Sequence, residues 1–290
     1  MINFFLKYKV NKITSIHPSI DDVRKSRKIL FSIFTRYGDT IIDLMVIKEF
    51  TTLFPNKIYL IICPKQMTPY VNEFLPSIEC IGINKRNLYD MFKMNMLLKK
   101  RKFDIGFNPW SNGLDSSFFI SYCNRFTFYK DFYKPKSINH YQVVRRYLKL
   151  PEKDWKIKPL KLKKSYKKIL ICPQSTDISR NIPKYHLDIL INEYNQLYNY
   201  PEITIASMDE SFFRAGCSMF KFEKSVNSSK SFLSIMKQSS LIVCSDSGPL
   251  HIATALNKDL IAFIRSTQPK YVINSDALVQ VKYLNNLNYE

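Results

Sequence analysis

The chain has 290 residues, room for about two domains, and its 46% apolar content excludes an intrinsically disordered polymer. No apolar run approaches the ~18 residues of a membrane span, and Met1–Lys7 lacks the long apolar region of a secretory signal. Lys plus Arg is 44 against 24 Asp plus Glu, a net charge of +20 that has two readings: an anionic partner, or the Lys-rich composition of an AT-rich genome.

Residues 1–27 read as a basic extension with one short amphipathic segment. Ile29–Phe34 is an apolar run of the buried parallel-strand kind, and apolar residues from Ile41 to Phe54 then follow helical spacing up to Pro55. Lys57–Cys63 is a second strand, so a βαβ unit opens the first domain with its loop at residues 35–40. Shorter strands are expected at Glu79–Ile83, Phe103–Phe107 and Arg125–Tyr129, and helices at Asn87–Lys100 and Tyr141–Leu150. The Lys- and Pro-rich stretch 151–166 lacks periodicity and reads as a linker. Beyond it the alternation repeats. Strands fall at Lys168–Cys172, Ile203–Ala206, Leu241–Ser245 and Leu260–Ile264, and helices at Pro183–Tyr198, Glu210–Ala215, Ser231–Lys237 and Pro249–Leu256.

This pattern predicts an α/β protein of two doubly wound, Rossmann-like domains, residues 28–150 and 167–290, facing a cleft. Ligands of such sheets sit outside the carboxyl ends of the strands, which puts residues 35–40, 173–182, 207–210 and 245–251 on the expected rim. The six cysteines are scattered without a C-x-x-C pair or a His at metal-ligand spacing, so no metal or other cofactor is expected. Those within strand-like runs read as buried thiols of a cytoplasmic protein. No nucleic-acid module appears, because the aromatics lie in strand-like runs and not among basic platforms.

Glycine is scarce: there are six in 290 residues, roughly 2% against a usual ~7%. Two of them mark the chemistry. Gly248 lies in Ser245-Asp246-Ser247-Gly248-Pro249-Leu250-His251, between a strand and a helix. A helix N-terminus offers free N–H groups to a phosphate, Gly248 lets a ligand approach the backbone, Ser247 adds a donor, and His251 sits one turn further on. Asp246 either accepts from ribose hydroxyls or braces the loop, and the plain alternative is an N-cap. Gly38 precedes Asp39, which is either a general base or an N-cap. The polar loop Gln174-Ser175-Thr176-Asp177-Ile178-Ser179-Arg180 ends in a cation suited to a phosphate, or to solvent.

Together these segments resemble glycosyltransferase family 9, the heptosyltransferase family. Asp246 to Ala253 is similar to its D-S/T-G-x-x-H-x-A signature, and Lys28–Pro64, Lys102–Leu150, Lys167–Pro183 and Ser229–Pro269 follow the family in order. The resemblance implies a GT-B fold, an ADP-activated heptose donor, a phosphorylated lipopolysaccharide-core acceptor, and inversion without a metal. It implies Asp39 as catalytic base, with Arg36 and Gly38 beside it on the acceptor side. It implies Ser175, Thr176, Arg180, Asp246, Ser247, Gly248 and His251 around the donor, and Glu210 near the nucleoside. Arg180 stands where Lys is common and Ser175 where Thr is usual. The implied partners are the donor, the glycolipid acceptor and the anionic inner face of a membrane. The competing expectations are a transferase for another nucleotide-activated hexose of an outer core or capsule, and a non-catalytic glycan-assembly protein, the latter motivated by the short stretch after the signature.

Overall fold

The computed structural model describes residues 16–111, 113–129, 139–153, 157–265, 267–273 and 278–284. The chain divides into two compact units, Met1–Lys153 and Asp154–Glu290.

The first unit is built on strands β1 (Lys28–Ser32), β2 (Ile58–Pro64), β3 (Glu79–Ile83), β4 (Ile105–Phe107) and β5 (Arg125–Thr127). They form one parallel sheet in the order β3-β2-β1-β4-β5. Helices α1 (Ile20–Lys25), α2 (Tyr37–Leu53), α3 (Thr68–Phe74), α4 (Leu88–Arg101), α5 (Leu114–Ile120) and α6 (His140–Tyr147) accompany it. Strand β1 is central, and Ile29, Leu30 and Phe31 are wholly buried, as a strand covered on both faces requires. Helix α2 buries Ile41, Ile42, Leu44 and Ile47 and ends at Phe54, just before Pro55.

Of the expected basic extension, residues 1–15 lie outside the described residues, and residues 16–27 join the first unit. Ser19 and Asp22 close a reciprocal capping box on α1, and Ile16 bridges Phe126 beside the sheet. Asp104 clamps the same corner, accepting from the N–H groups of Arg27 and Lys28 at 2.8 and 2.9 Å.

Gly106 shows what glycine does in this sheet. A Cβ there would lie 2.8 Å from both Cys123 Sγ and Ile120 Cβ. Gly106→Ala is therefore expected to destabilise the first unit by ~1–3 kcal/mol through overpacking against α5. Urea denaturation checks this, and an unchanged midpoint would mean that α5 yields without cost.

The second unit carries β6 (Lys158–Pro159), β7 (Lys168–Cys172), β8 (Glu202–Ser207), β9 (Ser218–Lys221), β10 (Leu241–Ser245), β11 (Asp259–Ile264) and β12 (Leu278–Tyr283). These too are parallel, in the order β6-β12-β11-β10-β7-β8-β9. Helices α7 (Lys184–Tyr198), α8 (Val226–Gln238), α9 (Gly248–Ala255) and the short α10 (Pro269–Val272) complete it. Leu187, Leu190 and Tyr194 of α7 pack on Ile169, Ile171 and Ile205 of the sheet. Counted from β7, the order is the doubly wound 3-2-1-4-5-6.

The expected linker 151–166 is partly structured. Residues 154–156 lie outside the described residues, but Lys158–Pro159 pairs with β12 and Tyr166 enters the second core. The expected helix Glu210–Ala215 is a correction. Only a 3₁₀ turn, Glu210–Phe212, forms there, capped by Asp209, whose side chain accepts from Ser211 N–H at 2.9 Å. Among the described residues no helix is long and apolar enough to cross a membrane.

Candidate functional site

In each unit the candidate residues other than Glu210 gather where the strand order reverses, between β1 and β4 in the first and between β7 and β10 in the second. Successive loops turn to opposite faces there and leave a crevice beyond the carboxyl ends of the strands.

In the first unit Arg36 takes the N-cap position of α2 without a side-chain cap bond, which makes Asp39 the third helical residue. Asp39 is thus not the N-cap that the local sequence allowed. Its Oδ2 accepts from the Thr35 hydroxyl at 3.2 Å. Burial pushes its carboxyl up to about 6, against the opposing pull of the Thr35 hydrogen bond and the Arg36 charge. A carboxylate tuned this close to neutrality is suited to accept a proton.

The loop after β4 supports this end of the sheet. Asn108 is wholly buried. Its N–H donates to the Tyr147 hydroxyl at 2.9 Å, and that hydroxyl lies 2.5 Å from the Thr127 carbonyl and 3.0 Å from Asn108 Oδ1. Asn108 Oδ1 also accepts from Tyr129 N–H, and its Nδ2 donates to the Ser111 carbonyl, both at 2.9 Å. Ser111 Oγ then donates to the Phe34 carbonyl at 3.2 Å, which ties the network to the loop that leads to Asp39.

Sequence reasoning missed Asp43, four residues beyond Asp39 on the same helical face. It is fully buried, and neither carboxyl oxygen has a hydrogen-bond partner. Burial, and then the charge of Asp39, push its carboxyl well above the usual range. Burial together with nearby Asp43, Tyr147 and Asp39 raises the Tyr129 hydroxyl as well. The available signal was an acid inside the apolar run from Ile41 to Ile47.

Because the folded state holds the Asp43 proton more tightly than the unfolded chain does, the Asp43 contribution to stability is fully present below the unfolded value near 3.9 and is lost as pH rises. Asp43→Asn removes that titration. Its melting temperature is expected to exceed the parent's at pH 8, with the gap closing towards pH 4. Parallel melting curves across that range would show that Asp43 bears no such burden.

In the second unit the loop after β7 meets the loop after β10. Ser175 N–H donates to Asn181 Oδ1 at 2.7 Å, and Ser175 Oγ donates to the Asp246 carbonyl at 3.4 Å. Arg180 bridges two acids at 3.3 Å each, Asp177 through Nε and Asp246 through Nη1. Asp246 is buried, and its Oδ2 accepts from Arg180 Nη1 on the neighbouring loop. Ser247 takes the N-cap position of α9 without a side-chain cap bond, and its Oγ donates to the Ser245 carbonyl at 3.2 Å. Gly248 and Pro249 begin the helix, and His251 lies buried one turn in. Thr176 is exposed on the β7 loop. Glu210 stands beyond β8, where its carboxylate accepts from Lys221 Nζ at 2.5 Å.

Two residues outside the motifs, Asn181 and Arg265, and Gln174 at the head of the polar loop complete the edge. Asn181 receives Ser175, as described. Gln174 Oε1 accepts from Ser207 Oγ and Met208 N–H at 2.9 Å each, joining the loops after β7 and β8. Arg265, immediately after β11, donates to the Ser179 carbonyl at 2.8 Å, and a cation directly after a buried apolar strand was the signal for it. Among the described residues no group of three or more His, Cys, Asp or Glu side chains could hold a metal ion.

Comparison with known proteins bears on the family resemblance and the fold. Residues 229–286, which include α9 and its preceding loop, match the model of glycosyltransferase family 9 (heptosyltransferase). No curated protein matches the chain in sequence. Among solved structures, the ADP-heptose LPS heptosyltransferase II of E. coli superposes with a TM-score of 0.67 at 14% identity, covering 90% of this chain and 94% of that one. A family 9 glycosyltransferase from Veillonella parvula gives 0.65 at 13% identity over 90% and 86% of the two chains. The E. coli heptosyltransferase WaaC, solved with ADP, gives 0.64 at 11% over 88% and 93%.

The fold is that of the GT-B heptosyltransferases. The family it resembles is glycosyltransferase family 9, and the matched segment carries the signature read from Asp246 to Ala253.

Proposed function

We propose that this chain moves a heptose from an ADP-activated donor to a phosphorylated lipopolysaccharide- or lipooligosaccharide-core acceptor, with inversion and without a metal ion. The observation that carries the reading is the crevice at the β7/β10 reversal, where Ser175, Arg180 and the N-terminus of α9 with Gly248 share one edge. The ADP bound to WaaC and the ADP-heptose named for heptosyltransferase II support the choice of nucleotide.

In this reading the acceptor hydroxyl gives its proton to Asp39 as its oxygen bonds to the anomeric carbon. The bond from that carbon to the diphosphate oxygen breaks in the same displacement. ADP leaves with its growing charge met by the N–H groups of α9 and by the guanidinium of Arg180. The net charge of +20 suits a phosphorylated glycolipid held at an anionic inner-membrane surface.

Titration calorimetry with ADP, GDP and UDP, followed by mass measurement of the glycosylated acceptor, tests the reading. ADP is expected to bind most tightly and the acceptor to gain one heptose. Binding of another nucleotide in preference to ADP would overturn the donor assignment, and the mass of a different sugar would overturn the choice of heptose.

A further inference from the structure

Helix α4 shows an apolar stripe to solvent. Its inner face is ordinary: Met91, Met94 and Leu98 are buried against the sheet. Its outer face is not, for Leu88 is 68% exposed, Tyr89 68%, Phe92 62% and Met96 54%. Leu88, Phe92 and Met96 recur every four residues and so stack along one line of the helix, with Tyr89 beside them. Isolated exposed apolar residues are common, but four large ones on one helical face are a patch that calls for a covering.

The charges around the stripe say what covers it. Lys93, Lys99 and Lys100 lie on the same exposed arc, and Arg86 stands exposed just before the helix, beside Lys85, which pairs with Asp115 at 3.0 Å. The nearest acids are drawn off that arc. Asp90 pairs with Lys65 at 3.0 Å and accepts from Asn84 N–H, and Glu79 pairs with Arg101. An apolar line flanked by cations and without acids is the pattern of a helix lying in the plane of an anionic bilayer, with its rings among the acyl chains and its lysines at the phosphates. A second copy of this chain would bring like charges together around the same stripe.

The geometry points to α4 as the element that seats this protein on an anionic lipid surface, through Leu88, Tyr89, Phe92 and Met96, with Lys93 and Lys100 as headgroup contacts. This deepens the proposed function, whose acceptor is a membrane glycolipid, and rests on it for the biological setting alone.

Flotation of the full chain with vesicles of phosphatidylglycerol and phosphatidylethanolamine, beside vesicles of phosphatidylcholine only, tests it. The parent is expected to float with the anionic vesicles and much less with the neutral ones. Phe92→Ser combined with Met96→Ser should weaken that binding by at least about tenfold, with melting temperature and ADP affinity unchanged. Lys93→Glu combined with Lys100→Glu should weaken it similarly and reduce its dependence on salt.

Equal flotation of the parent and the Phe92/Met96 variant would overturn the assignment, as would a parent that ignores both kinds of vesicle. A parent that sediments as a dimer which the Phe92/Met96 variant dissolves would overturn it in favour of a second copy. A parent that binds ADP but no vesicles strikes this inference alone, whereas a parent that binds anionic vesicles but not ADP strikes the proposed function alone.

Discussion

An Asp39→Asn enzyme is expected to fold and bind ADP like the parent while turning over ~10²–10⁴-fold more slowly, the usual cost of losing a general base. The amide keeps an oxygen that can accept from Thr35, so the first turn of α2 is preserved. Since Arg36 holds the cap position, no N-cap is lost either. The parent's kcat/KM should fall as pH drops through about 6, because burial raises the Asp39 carboxyl to that value and a protonated carboxyl cannot take the acceptor's proton. The variant should lack that limb. A variant with near-normal turnover, or a parent profile flat through pH 6, would remove Asp39 from the reaction.

Arg180→Ala is expected to weaken ADP binding by about 1.5–3 kcal/mol, roughly ten- to 150-fold, on the scale of a charge-assisted hydrogen bond. Arg180 also neutralises the buried Asp246, so part of any loss could arise from the loop and not from the phosphate. A double-mutant cycle separates the two. In an Asp246→Asn background the acid no longer needs a cation. A direct phosphate contact predicts that Arg180→Ala still costs affinity there, whereas a purely bracing role predicts that it costs almost nothing. Calorimetry with ADP on the four proteins decides.

Much of the sheet framework is legible in the sequence because both sheets are parallel and covered on two faces. Strands such as β7 and β10 are uninterrupted apolar runs that no exposed element imitates. Helix α3 escapes notice because it has seven residues, too few to show a period. Strand β12 escapes because Gln280 and Lys282 break its apolar run, as the outer position between β11 and the two-residue β6 permits. At the candidate site the loops and their order can be read, but the pairings within them cannot. That Arg180 turns to Asp246, and Gln174 to the β8 loop, depends on strands adjacent in space and distant in sequence. Asp43 is hidden for another reason: sequence patterns assume that buried acids have partners, and this one has none.

The buried Asn108–Tyr147 network has a consequence for how this protein can vary over time. One hydroxyl reaches toward the ends of β4 and β5 from α6, and one amide answers it. Losing the Asn108 amide strands the Tyr129 N–H and the Ser111 carbonyl, and losing the Tyr147 hydroxyl strands the Asn108 N–H, so single substitutions at either position meet a steep barrier. The Lys-rich surface drifts freely by comparison. Lineages that replace either residue should carry a compensating change among the groups it serves. Positions that touch no substrate would then be inherited as a unit with the loop that leads to Asp39.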